Sequence, residues 1–192
     1  MNEFDSQRMD VGLFLGYASD LDTNNVAKHK LSITGFFEVE IIRKNGEIVN
    51  LGRFNGVTNV GLNNMLGVTF HGDTQNTSWY IGLISNTSFS AVNAADTMSS
   101  HSGWTESAAY SNSTRPAWAP DAASSLSISN STQVVFNINV DSTALAGAFI
   151  TSNSTKSGTS GILWSTGLFG SVQTLNNGDQ LKITYTINLT TS

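Results

Sequence analysis

The chain has 192 residues, 39% of them hydrophobic but only 12% charged, so it can bury one core of ordinary domain size with about half the usual complement of charge. A net charge of −5 is the wrong sign for holding a phosphate backbone, and no apolar run approaches the ~18 residues of a membrane-spanning helix, so neither nucleic acid nor membrane is an expected partner. The absence of cysteine excludes disulfides and thiolate metal sites, and 26 Ser, 21 Thr and 20 Asn, whose side chains compete for backbone hydrogen bonds, disfavour an all-helical protein.

Residues 1–30 read as an N-terminal arm. Acids (Glu3, Asp5, Asp10, Asp20, Asp22) surround one short apolar patch, Val11-Gly-Leu-Phe-Leu-Gly-Tyr17. The residues before that patch are mostly acidic and Gly interrupts it, unlike a secretory signal. The patch reads either as an edge strand on its own domain or as an arm whose Leu13, Phe14 and Leu15 dock on a neighbouring subunit.

From Leu31 the pattern is that of strands. Val39 and Ile41 alternate with Glu38, Glu40 and Arg43, and Asn45-Gly46 separates this run from Ile48, Val49, Leu51 and Phe54. Asn-Gly between two such runs predicts a hairpin over 31–54 with a type I′ turn. A helix is expected over Asn59–Leu66, capped by Thr58 or Asn59 and ended by Gly67. Short apolar runs then recur at Trp79–Ile84, Glu106–Tyr110, Leu126–Ile128, Gln133–Val140, Ala144–Ile150, Gly161–Phe169 and Gln180–Leu189. The last alternates cleanly, with Leu181, Ile183, Tyr185, Ile187 and Leu189 on one face, and Asn177-Gly178 supplies a turn before it.

About eight or nine short strands and one short helix predict an all-β fold over residues 31–192, an antiparallel β-sandwich of jelly-roll type. An immunoglobulin-like sandwich is the rival, without its Cys-Trp-Cys core. Residues 85–125, rich in Ser, Asn and Ala, read as long loops, where function often sits.

Catalytic and metal-binding patterns are not found. His29, His71 and His101 have no Gly-x-Ser-x-Gly partner motif. His71-Gly-Asp73 lacks further ligands nearby, and Gly158-Thr-Ser-Gly161 lacks the ending of a phosphate loop. Asp73, Asp96, Glu106, Asp121, Asp141 and Asp179 are spaced singly and read as solvated turn acids rather than a glycosidase pair. Six Asn-x-Ser/Thr triplets, at Asn76, Asn86, Asn112, Asn130, Asn153 and Asn188, are about what the composition supplies by chance. No catalytic residue, cofactor or metal is therefore expected.

Charge is uneven: 14 of the 23 charged residues fall in positions 1–54. So neutral a body either dissolves through hydroxyls and amides or lies largely against other proteins. Trp79 and Trp164 sit in apolar runs and read as core. Trp104 and Trp118 sit in loop-like sequence and read either as exposed anchors at a protein contact or as plugs at the ends of the sandwich.

Several of these segments, taken in order, resemble a known family. They are Phe54–Leu66, Trp79–Ile84, Asp96-Thr-Met-Ser-Ser-His-Ser-Gly-Trp-Thr-Glu106, Arg115-Pro-Ala-Trp118, Ser154–Phe169 and Asn177-Gly-Asp-Gln-Leu-Lys-Ile-Thr-Tyr185. From about residue 33 onward the chain looks like the small head decoration, cement or minor capsid proteins of tailed bacteriophages. The resemblance implies a jelly-roll-like structural module, no enzyme, on the outside of a capsid assembled in the host cytoplasm. Its implied partners are the major capsid protein and further copies of itself, as a homodimer or homotrimer. Leu13, Phe14, Leu15, Trp104 and Trp118 are the expected contact residues. A tail or fibre subunit and a carbohydrate-binding β-sandwich module are the alternatives.

Overall fold

The computed structural model describes residues 31–54 and 56–191. Ten strands and one helix follow in the order β1 (Leu31–Ile42), β2 (Ile48–Phe54), α1 (Asn59–Leu66), β3 (Trp79–Ser85), β4 (Glu106–Ser107), β5 (Ala117–Trp118), β6 (Ser127–Ser129), β7 (Val134–Asn137), β8 (Thr143–Thr151), β9 (Leu163–Leu175) and β10 (Gln180–Thr191). They form two five-stranded antiparallel sheets. The first runs β2-β1-β10-β6, with β7 also on β10; the second runs β4-β3-β8-β9, with β5 also on β3. The all-β antiparallel sandwich with one short helix is thus present. As in a jelly roll, the first and last strands are neighbours, and the chain crosses from one sheet to the other between β9 and β10.

The period-2 segments form the first sheet. β1 and β10 pair without interruption from Leu31↔Thr191 to Ile42↔Gln180. Their inward residues Phe37, Val39, Ile41, Leu181, Ile183 and Tyr185 are buried against Ile81, Leu83, Ala148 and Trp164 of the second sheet. The hairpin lies where the sequence puts it, but its turn differs. Only Gly46 of the Asn-Gly pair has positive φ (88°). Gly46 N–H donates to Arg43 O and Arg43 N–H to Glu47 O, both at 2.8 Å. This is a turn closed by a left-handed glycine bulge instead of a two-residue type I′ turn.

The continuous apolar runs form the second sheet because both of its faces are covered. Leu83 and Ala148 face the main core, whereas Ile84 and Phe149 face outward into a second cluster with Met98, Trp104, Ala146 and Leu163. Residues 85–125 supply that cover. Expected as long loops, they include β4 and β5 and pack a small core of their own.

The helix occupies the expected residues, with Thr58 as its cap accepting a hydrogen bond from Gly61 N–H at 3.1 Å. Gly67 does not end it. Its φ of −60° is helical, and a π-helical turn follows over Gly67–His71 before Gly72, at φ 81°, stops the chain.

Candidate interaction groove

Three networks fix the loops around the second sheet. Arg115, fully buried, forms a bidentate pair with Glu106, Nε to Oε1 at 3.0 Å and Nη2 to Oε2 at 2.7 Å. It also donates to Asn153 O and Gly158 O, while Glu106 Oε2 accepts from Ser157 N–H at 2.6 Å. Lys156 lies 3.9 Å from the centroid of the Tyr110 ring, and burial lowers its pKa against the opposing pull of Glu106. In the second network Asp96 Oδ2 accepts from Trp104 Nε1–H and Asn93 N–H, both at 2.9 Å, with His101 stacked on the indole.

In the third, Asp179 joins two turns. Its carboxylate accepts from Lys44 N–H at 2.8 Å, Asn176 N–H at 2.9 Å and Arg43 at 3.1 Å. Burial alone would raise its pKa; the two backbone donors and the Arg43 guanidinium outweigh that and hold it below the ordinary carboxylate value. Asp96, Glu106 and Asp179 are therefore not the solvated turn acids expected from their spacing. Each has a nearly buried side chain or residue that accepts two or more hydrogen bonds.

The expected contact residues divide in two. Leu13, Phe14 and Leu15 lie outside the described residues. Trp104 and Trp118 are corrected: at 2% and 6% exposed, neither indole is a surface anchor, and each is held by hydrogen bonding and packing within the domain. Trp118 Nε1–H donates to Asn130 Oδ1 at 2.8 Å. Trp164 is buried as expected, and Trp79 is half-buried beside it, with ring centroids 6.1 Å apart.

Asn130, one of the six Asn-x-Ser/Thr triplets, has a structural role that its sequence context does not disclose. β6 and β7 pair with different stretches of β10, leaving Thr184 and Tyr185 between them. Asn130, 2% exposed, fills this gap: its Oδ1 accepts from Tyr185 N–H at 2.8 Å and its Nδ2 donates to Ile183 O at 3.2 Å. The side-chain amide stands in for a strand, and so buried an amide offers no site for a glycan.

A groove of about 660 Å³ lies at one end of the sandwich. Ile33, Ile187 and Leu189 come to it from the first sheet, Met65 and Val68 from α1 and the π-helical turn, and Trp79, Trp118, Trp164 and Ile150 from the second sheet and its edge. Among the described residues no ionisable side chain lines it, although Asn64, Gln75, Asn76 and several hydroxyl residues do. At its lip, Ser125 and Leu126 occupy a two-residue turn at φ 52° and 61°, closed by reciprocal Ser124–Ser127 hydrogen bonds at 2.9 Å. This is left-handed backbone without glycine or asparagine, and it leaves Leu126 exposed. Leu31, Leu66 and Phe70, also exposed, belong to the segments that border the groove; Phe70 is 82% exposed. Sequence reasoning does not reach this end of the fold, because its residues come from segments spread between positions 33 and 189. The chain matches no family model, no curated protein and no solved structure.

Proposed function

We propose that the protein is a non-enzymatic structural virion component that binds the outside of a bacteriophage capsid and cements the lattice of the major capsid protein. The observation that carries this reading is the groove end of the sandwich. A mostly apolar concavity, with no ionisable lining among the described residues, has exposed Leu126 in its wall, and exposed Leu66 and Phe70 belong to the helical segment that supplies Met65 and Val68 to it, a surface suited to excluding water against another protein. The ordered motifs that resemble decoration proteins support it further. Their charged residues Asp96, Glu106, Arg115 and Asp179 hold the domain's own loops in place.

The mechanism is linkage. A protein that binds the assembled shell and not its free subunits stabilises the shell by mass action. Many copies, closing as dimers or trimers about symmetry axes, need only modest individual contacts. Of the alternatives, a glycan-binding module relying on Trp104 is disfavoured by the burial of that ring.

The test is co-sedimentation of the purified protein with emptied, tail-free heads, together with the temperature at which filled heads release DNA. Binding to heads and a higher release temperature are expected. Phe70→Asp, which changes a side chain with little packing to lose, should weaken head binding at least tenfold with the fold intact. Failure to co-sediment, or equal release temperatures with and without the protein, overturns the cement role.

A further inference from the structure

We infer that residues 86–104 are a flap, a self-bonded span that swings off the outer face of the second sheet as one body while both sheets stay paired. The span leaves β3 and returns to β4, and its ends are fastened together, with Ser85 N–H donating to Thr105 O at 2.9 Å. Within it, Ser90 and Ala91 N–H donate to Gly103 O, Asp96 N–H donates to Asn93 O, and Thr97 and Ser100 bond reciprocally. Asp96 Oδ2 holds both Asn93 N–H and the Trp104 indole. Gly103 lies so close to Ala91 O that a Cβ there would collide with it. These bonds move with the span, and none is lost when it lifts.

Attachment to the body is thin by contrast. Asn86 N–H donates to Ala144 O and Thr87 N–H to Ser85 Oγ at the start of the span. Past these, one hydrogen bond among the described residues joins it to the rest of the domain, from Asn59 N–H to Ala94 O at 2.8 Å. Asn59 is the first residue of α1, where the helix has no partner of its own for the amide hydrogen, so releasing this latch breaks no helical bond. A cavity of about 330 Å³ lies beside the latch, between Val92, Asn93 and Ala94 of the span and Gly56, Thr166 and Leu168 of the body. What holds the flap down is a small apolar contact, Met98 and Trp104 packed with Ile84, Ala146, Phe149 and Leu163. Turning about Ser85 and Thr105 bares that face of the second sheet without breaking a rung of either ladder, at a smaller cost than opening the sheets themselves.

β8 supplies its own control, because Ala146 packs in the cluster under the flap and Ala148, two residues on, in the main core. The chain has no cysteine, so Ala146→Cys and Ala148→Cys in the full-length protein each give a single thiol whose labelling by DTNB reports exposure. Ala146→Cys should react at least tenfold faster than Ala148→Cys, with a weaker dependence on added urea. Asn59→Pro removes the latch and sets a ring carbon against Ala94 O. The helix accepts it, since proline suits the first helical position and Thr58 before it is already extended, at φ −84° and ψ 158°. Added to each cysteine variant, Asn59→Pro should speed labelling at position 146 at least threefold and leave position 148 unchanged. Equal rates at the two positions, equal urea dependence, or an Asn59→Pro effect on both alike or on neither overturns the proposal. The natural chain supplies an arm that needs no substitution. Its Asn59 amide should exchange with deuterium at least tenfold faster than the amides that pair β3 with β8, and exchange at the same rate likewise overturns the flap.

Discussion

Arg115 shows what a single side chain does in this charge-poor protein. It has no exposed surface, and it gathers Glu106, Asn153 and Gly158 around one guanidinium stacked 5.2 Å from the centroid of Phe149. Removing it strands a nearly buried carboxylate. Arg115→Met should therefore destabilise the fold by about 3–5 kcal/mol in urea denaturation, and adding Glu106→Gln should recover part of the loss. Recovery of nothing would mean that the guanidinium acts through packing alone. Asp179 gives a prediction in pH. Its pKa is lowered by folding, so its contribution is complete above the ordinary carboxylate value and disappears as pH falls through the lowered one. Asp179→Asn should accordingly cost about 1–3 kcal/mol at pH 7, and the gap between variant and natural chain should shrink below about pH 4. A gap that is the same at pH 7 and pH 2.5 would refute the assignment.

Elements differ in how much of them the sequence discloses. β1, β2 and β10 each face one layer of core, so their period of two survives in the residue pattern and both their positions and their inward residues could be read. The strands of the second sheet were legible as strands but not by face, because Ile84 and Phe149 are buried as fully as Leu83 and Ala148. The small strand Ala117–Trp118 and the burial of Trp104 were not legible, since the partners of both come from distant segments. Trp118 meets Tyr185, 67 residues away, through its indole N–H. The groove is not legible for the same reason, its lining running from Ile33 to Leu189. Its lip gives a prediction proper to a turn. Asn and Gly suit the left-handed positions that Ser125 and Leu126 now hold. Ser125→Asn with Leu126→Gly should stabilise the domain by roughly 1 kcal/mol, visible as a rise of a few degrees in melting temperature. Under the cement role proposed above, the same change should also weaken co-sedimentation with heads by removing an exposed leucine. A drop in melting temperature would show that this turn stores no strain.

At the scale of the whole molecule, two layers and an outer cover account for the composition. The second sheet is buried between the first sheet and the 85–125 segment, so much of the apolar content is internal even though charge is scarce. The first sheet depends on a strand that arrives last. β10 pairs with β1, β6 and β7, which makes it the partner of every other strand in that layer but β2. On a ribosome, the first sheet has no middle until β10 has been added: the β1–β2 hairpin can pair within itself, but β6 and β7 must wait without their partner. Closing a ladder between segments about 150 residues apart also carries a large entropic barrier, which places folding toward the slow end for small domains. Nascent chains therefore lack a closed first sheet until β10 has been made, and the sandwich becomes available as a whole only then.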